Sequence, residues 1–136
     1  MKTHVGHVQF NIQPGNVGFY RDLFAFLGWQ TIYEGDGMLG VGSDRGASLW
    51  FMGQANGAAN DYDGPGMNHL GIGTEAQGDV DKTAAYLADH GIQALFETPK
   101  HRPDFQPDPA QTYYQVMFES PDRILLEVVY TGPKDS

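Results

Sequence analysis

Three residues of this chain, His7, His69 and Glu127, have side chains that could together bind a divalent metal ion. Two neutral imidazoles and one carboxylate suit Fe(II), Mn(II), Co(II), Ni(II) or Zn(II), and a set of three leaves positions open for water or substrate. The residue types alone do not choose among these metals.

A degenerate internal duplication gives the two histidines equivalent positions. Each begins a strand-like segment, His7–Ile12 or His69–Thr74, followed by an amphipathic stretch and a glycine. A repeat of this size indicates one folding unit used twice. Aligning the last strands of the two halves makes Trp50 the counterpart of Glu127. We therefore expect the two histidines and the glutamate to converge, with Trp50 at the fourth corner.

Glu127 stands in the apolar run 124–130, where a charged carboxylate is costly unless it is paired or bound to a cation. A ligand role would remove that cost. An isolated strand histidine is usually only a hydrogen-bonded residue, and Glu127 could instead pair with an arginine. The repeat-equivalent placement of all three residues favours a metal site.

The elements that position these residues are predicted from periodicity and helix signals, and they give each half the order βαβββ. Asn16 and Asp79 are the expected helix N-caps, and Gly28 and Gly91 the expected helix stops. The predicted strands lie near 5–12, 29–34, 38–42, 47–53, 67–74, 92–97, 113–119 and 124–130. The fold class is therefore α+β, with a first module at 5–53, a linker at 54–66 and a second module at 67–130.

One loop, Thr98–Thr112, is long for a compact domain and contains four prolines. Loops of this length are often functional. The alternative is a stiff, solvated surface excursion.

Composition limits the possible partners. With 136 residues, 40% of them hydrophobic, the chain fits one compact domain. A formal net charge of −9 argues against binding to nucleic acid or to an anionic membrane surface, so small molecules are the expected partners. The absence of cysteine excludes disulfides and zinc-thiolate sites. No signal-like or membrane-spanning segment stands out, and we expect a soluble cytoplasmic protein.

Several motifs resemble the vicinal oxygen chelate superfamily, which includes glyoxalase I, extradiol dioxygenases, fosfomycin-resistance transferases and bleomycin-resistance proteins. They are Gly6-His7-Val8, Asn68-His69-Leu70-Gly71-Ile72, and the run from Tyr113 to Asp122 before Leu126-Glu127-Val128. The resemblance covers residues 5–130. It implies a single glyoxalase-like domain at 1–136 in which the two modules form a cupped mixed sheet. It also implies a metal held by His7, His69 and Glu127, and a homodimer. The open edges of the modules also favour pairing between chains.

The departures from the superfamily patterns bear on the reaction. Glyoxalase I has a fourth ligand, a glutamate, where this chain has Trp50. Extradiol dioxygenases have an acid–base tyrosine at the position of Met117 in this chain. Fosfomycin transferases have a threonine at the position of Gln9. Bleomycin-binding members need no catalytic metal, whereas this chain keeps the whole trio. Arg123 replaces a common turn glycine, which we interpret as a local turn change.

These observations favour a metal-dependent enzyme, a lyase, isomerase or dioxygenase, that acts on a small substrate chelated through neighbouring oxygens. The alternative is a metal-independent protein of the bleomycin-resistance type that binds a drug or an aromatic ligand. No catalytic residue is assigned; His101 and Glu119 are weak candidates for a general base. The predicted substrate pocket comprises Gln9, Asn11, Trp50, Met52, Phe105, Tyr113, Gln115 and Met117.

Overall fold

The computed structural model describes residues 1–135, which divide into two compact units. The first unit, Met1–Ala59, contains strand β1 His7–Asn11, a short 3-10 turn Pro14–Asn16, helix α1 Val17–Phe26, and strands β2 Gln30–Gly35, β3 Met38–Gly42 and β4 Ser48–Met52. The second, from Asn60 onward, contains β5 Leu70–Thr74, α2 Gln77–Asp89, β6 Leu95–His101, β7 Gln111–Glu119 and β8 Leu125–Pro133.

Both units have the same strand arrangement. Their sheets have the orders β1-β4-β3-β2 and β5-β8-β7-β6, so the first strand of each unit lies beside the last. That pair is parallel and the other pairs are antiparallel. The predicted α+β class with two βαβββ modules is confirmed.

The core of the first unit is aromatic and centres on Phe51 of β4, which is 1% exposed. The Phe51 ring stacks on Phe10 of β1 at 5.2 Å between centroids and on Tyr20 of α1 at 4.3 Å. Phe24, one helical turn after Tyr20, lies 5.5 Å from the same ring. This inward stripe explains why residues 17–26 form a helix that covers the sheet.

In the second unit, α2 packs against β7 and β8. The buried helix residues Val80, Thr83 and Leu87 fall at helical spacing. They cover one face of the sheet, and its opposite face carries the polar residues described below. The buried strand residues of this core include Ile72, Val116, Phe118, Leu126 and Val128.

The structure has one of the two predicted N-caps in place and moves the other. Asn16 stands at the N-cap position of α1 without a capping side-chain hydrogen bond, since the preceding 3-10 turn shapes that end. Helix α2 begins two residues before Asp79, with Ala76 at its N-cap. Asp79 therefore lies in the first turn, where its charge favours the helix dipole. The predicted stops are confirmed, because Gly28 and Gly91 have φ of +86° and +69°.

The loop predicted at Thr98–Thr112 is shorter than expected. Strand β6 continues to His101 and β7 begins at Gln111, which leaves a loop at 102–110. Lys100 pairs with Gln115 despite the neighbouring proline. A proline is tolerated there because β6 is an edge strand. Strand β6 also starts later than predicted, since the Ile92 N–H still bonds the helix at Leu87 O, at 2.8 Å.

The segment predicted as a linker is hydrogen-bonded to the first unit at one end and to the second unit at the other. Ala55 N donates to Ile12 O at 3.1 Å, and Gln13 Nε2 to Asn56 O at 2.9 Å. On the other side, Asn60 Nδ2 donates to Arg123 O at 2.9 Å, and the Tyr62 hydroxyl donates to Glu119. Among residues 1–135, no helix is long and apolar enough to cross a membrane.

Candidate metal centre

Glu127 occupies the middle of the second sheet and is only 3% exposed. Its direct partners on the neighbouring strands are Met117 of β7 and Gly71 of β5. Directly paired residues share a face of a sheet. Met117, Glu127 and Gly71 therefore form one row across the face that does not contact α2.

The two carboxylate oxygens of Glu127 have different surroundings. Oε2 accepts hydrogen bonds from the Tyr113 hydroxyl, at 2.9 Å, and from the Gln115 side-chain amide. Oε1 faces His69, with 3.5 Å between Oε1 and Nε2. Two donors thus fix one oxygen and leave the other directed at an imidazole nitrogen.

Gly71 makes room for this arrangement. A Cβ atom at Gly71 would lie 3.0 Å from Glu127 Oε1, which is tighter than ordinary van der Waals contact. The next glycine on the same face of β5, Gly73, has open space at the same position.

His69 directly precedes β5, one residue outside the strand in which it was predicted. Its Nδ1 lies 2.7 Å from Asn68 Oδ1, and Asn68 Nδ2 donates to Tyr62 O at 2.9 Å. The amide is thereby oriented with its oxygen toward the ring. Because an amide oxygen only accepts, Nδ1 carries the proton, and the neutral ring has its lone pair on Nε2.

Two acceptors then face each other: the lone pair on His69 Nε2 and the carboxylate oxygen Oε1 of Glu127. Two acceptors at this distance repel each other unless a positive charge lies between them. A cation between them, or a second proton on the ring, makes that approach favourable. Donor atoms held about 2.1 Å from one divalent ion can be up to about 4.2 Å apart. The separation of 3.5 Å fits such an ion.

Tyr113 completes the polar side of the site as a donor. Burial, and then its hydrogen bond to Glu127, raise the pKa of Tyr113 to about 12. The phenol therefore keeps its proton at neutral pH. It can donate a hydrogen bond or a proton, but it is poorly suited to act as a base.

Five of the predicted site residues lie in the first unit. Gln9, Trp50 and Gly40 form a cross-strand row, and Asn11, Met52 and Met38 form the next row. Gln9 and Asn11 are exposed, while Trp50 and Met52 are half-buried. The Trp50 indole lies over Gly40, where an added Cβ would be 2.6–2.8 Å from the ring, and Nε1 donates to Ser48 at 3.2 Å. His7, the third predicted ligand, starts β1 and is exposed.

Three of the predicted pocket residues of the second unit, Tyr113, Gln115 and Met117, alternate along β7 and share one face of the sheet. Gln115 and Met117 are buried, Tyr113 is half-buried, and Phe105 is exposed on the loop with its ring edge-on to Tyr113 at 5.2 Å. Thus the structure brings together His69, Glu127, Tyr113, Gln115, Met117 and Phe105. Among residues 1–135, no group of three or more His, Asp or Glu side chains forms a metal cluster.

Neither suggested base is placed like a catalytic base beside Glu127. His101 pairs with Tyr114 on the opposite face of the sheet, and its Nδ1 bonds the Thr112 hydroxyl. Burial is the main reason that the pKa of His101 is lowered. Glu119 lies at the end of β7, where it accepts the Tyr62 hydroxyl and pairs with Arg123 at 3.7 Å.

Sequence reasoning missed three residues that shape the site around His69 and Glu127. They are Asn68, Gly71 and Arg102. Asn68 orients the histidine, Gly71 leaves space for the carboxylate, and Arg102 bonds Gln115 at 3.0 Å. The available signals were the Asn-His pair and a glycine two residues after the histidine. The link from Arg102 to Gln115 required the strand register.

No protein-family model and no curated protein matches the sequence. Solved structures do match its fold. A protein of Bacillus halodurans, provisionally described as a glyoxalase, is 22% identical with a TM-score of 0.76, over 93% of this chain and 94% of that one. A glyoxylase/bleomycin resistance protein/dioxygenase domain from Frankia sp. EAN1pec is 20% identical with a TM-score of 0.68, over 97% and 94%. The chain has a glyoxalase-like fold.

A third structure agrees with this assignment. A glyoxalase/bleomycin resistance protein from Albidiferax ferrireducens T118 is 17% identical with a TM-score of 0.66, over 92% of this chain and 96% of that one. These structures confirm the predicted glyoxalase-like fold. Folds of this breadth host several chemistries, so the function depends on the site.

Proposed function

We propose that this glyoxalase-like chain is a divalent-metal-dependent enzyme that acts on a small substrate with two neighbouring oxygens. His69 and Glu127 supply two of the metal ligands, and His7 supplies the third by its equivalence to His69 in the duplicated sequence. The observation that supports this most strongly is the buried Glu127 oxygen at 3.5 Å from His69 Nε2.

The bound ion would act as a Lewis acid that stabilises an oxyanion or enolate formed on the substrate. The chain's own residues would prepare the site for that role. Asn68 keeps the proton of His69 on Nδ1, and Gln115 keeps Glu127 in one orientation. Tyr113 holds its proton at neutral pH and can donate to a ligand oxygen or back to Glu127. Met117 and Phe105 provide apolar surface near these donors.

Metal content tests the proposal directly. We expect about one transition-metal ion per chain after purification without chelators, or after reconstitution with Fe, Mn, Co, Ni or Zn. His69→Ala and His7→Ala should each weaken binding strongly. His4→Ala and His90→Ala are matched controls, since His4 is exposed near the N-terminus and His90 bonds Tyr86 O at 2.8 Å. Absence of metal from the purified protein and after reconstitution with each of the five metals would contradict the proposal. So would equal effects of the four substitutions.

The second candidate is a metal-independent protein that binds a planar or aromatic ligand. The observation that favours it is the exposed Phe105, whose ring lies edge-on to Tyr113 at 5.2 Å. Aromatic ligand binding by metal-free protein, without turnover when metal is added, would support this candidate instead. For either candidate we also propose a homodimer in the cytoplasm. Light scattering at micromolar concentration tests the dimer, and fractionation tests the location.

A further inference from the structure

Arg102 is the first residue after β6, and its backbone continues the ladder with β7. Its N–H donates to Tyr113 O at 2.8 Å, and its side chain is 26% exposed. Neither the duplication nor the motifs assign it a role.

The guanidinium of Arg102 is held by its own loop. Its Nε and Nη2 donate to the two carboxylate oxygens of Asp104, at 3.2 and 3.0 Å. The guanidinium carbon lies 4.4 Å from the centre of the Phe105 ring. The N–H of Phe105 in turn donates to Arg102 O at 3.0 Å. A two-bond fork and a stacked ring together restrict the guanidinium to one position.

The remaining terminal nitrogen of Arg102 faces Gln115. Nη1 donates to Gln115 Oε1 at 3.0 Å, and Gln115 is only 2% exposed. A guanidinium has donors and no acceptor, so it can bond only the oxygen end of the amide. The nitrogen end must then point the other way, and it donates to Glu127 Oε2.

We propose that Arg102 is a positioning residue for Glu127, acting through the side-chain amide of Gln115. By fixing the direction of that amide, Arg102 keeps a donor on Glu127 Oε2 and so keeps Oε1 directed at His69. Without Arg102, the amide could turn over and present its oxygen to the carboxylate. The expected effect on metal affinity rests on the proposed function, whereas the effect on Gln115 does not.

The first experiment measures Zn(II) or Co(II) affinity by competition with a chromophoric chelator. Arg102→Ala should weaken binding about 10-fold or more, as changes in groups that orient metal ligands commonly do. Arg21→Ala is the matched control, because Arg21 also pairs with carboxylates, Asp22 and Glu34, but lies in the first unit. It should change affinity less than about twofold. Arg102→Lys should recover only part of the affinity, since one ammonium cannot form the fork with Asp104 and also hold Gln115.

A double-mutant cycle tests the route through Gln115. Gln115→Leu should weaken metal binding at least as much as Arg102→Ala, and the double variant should be no weaker than Gln115→Leu alone. Full additivity of the two effects would overturn the proposal. Where the wild type binds metal, equal metal affinities of Arg102→Ala and Arg21→Ala would also overturn it.

The second experiment needs no metal. In ¹⁵N–¹H spectra of the metal-free protein, the Gln115 side-chain amide, identified by its loss in Gln115→Leu, should be shifted and slow to exchange with water. Arg102→Ala should move it toward a free amide, and Arg21→Ala should not. If the wild type binds no metal but this change occurs, the proposed function fails and the positioning role stands. An unchanged Gln115 signal in a folded Arg102→Ala protein would overturn the positioning role itself.

Discussion

The two glycines on one face of β5 allow a sharp test of the space around Glu127. Gly71 and Gly73 have the same strand and the same orientation, but only at Gly71 would an added Cβ meet a neighbour, Glu127 Oε1 at 3.0 Å. Glu127 cannot yield freely, since Tyr113 and Gln115 bind its other oxygen. We predict that Gly73→Ala is neutral or stabilising and that Gly71→Ala is not.

The magnitude follows from two opposing effects. Replacing glycine by alanine at a compatible position stabilises a protein by about 0.4–1 kcal/mol, because the unfolded chain has fewer conformations to lose. Gly73→Ala should show that gain. At Gly71 the displaced carboxylate weakens a hydrogen bond to a charged group, which costs about 1.5–3 kcal/mol if the bond is lost. The two variants should therefore differ by about 1–2 kcal/mol in the free energy of unfolding.

Urea unfolding of both variants beside the wild type measures this difference. Metal affinity, where metal binds, should fall about tenfold in Gly71→Ala and stay unchanged in Gly73→Ala. Equal free energies of unfolding for the two variants would refute the packing argument, whatever the metal result. A loss at Gly73→Ala as large as that at Gly71→Ala would show that β5 tolerates no side chain on this face.

Three further predictions concern other parts of the chain. Arg123 has a φ of +58°, a left-handed conformation that costs energy in any residue with a Cβ atom. Arg123→Gly should therefore stabilise the protein by about 1 kcal/mol in thermal unfolding. Arg123→Ala keeps the Cβ atom and should not stabilise it. Burial and a hydrogen bond to Asp81 raise the pKa of Tyr114 to about 12, so its contribution to stability is complete below pH 10 and is lost as the pH rises toward 12. Tyr114→Phe should therefore lose less stability than the wild type over that pH range. Stability profiles that fall in parallel with pH for the two proteins would contradict the argument. The unmodified protein should convert the methylglyoxal–glutathione hemithioacetal very slowly or not at all, because the sequence resemblance implies that Trp50 replaces the glutamate ligand of glyoxalase I. Turnover comparable to a glyoxalase I control would contradict this.

The sequence predicted the architecture because its signals are local. Alternation marked the strands, and Gly28 and Gly91 marked the helix ends. The duplication then supplied the repeated topology. Boundaries failed where tertiary pairing overrides local preference, as at β6, whose proline-containing end still pairs with β7.

The candidate site was predictable only in part. The pairing of His69 with Glu127 followed from the repeat, but the orientation of each depended on neighbours that act across strands. The Arg102 bond to Gln115 joins a loop to a strand, and no periodicity in the sequence connects them. The sequence predicts only a local change of the turn at Arg123. The structure shows why a glycine is common at this position, since the backbone there is left-handed.

The rows that contain Trp50 and Glu127 differ between the two halves of the duplicated sequence. Trp50 lies between Gln9 and Gly40, whereas Glu127 lies between Gly71 and Met117, so the glycine is on opposite sides of the two residues. A carboxylate introduced at Trp50 would therefore have the Gln9 side chain beside it, where Glu127 has only a glycine. A Trp50→Glu substitution alone would not reproduce the surroundings of Glu127, so the two halves are not interchangeable as positions for a carboxylate.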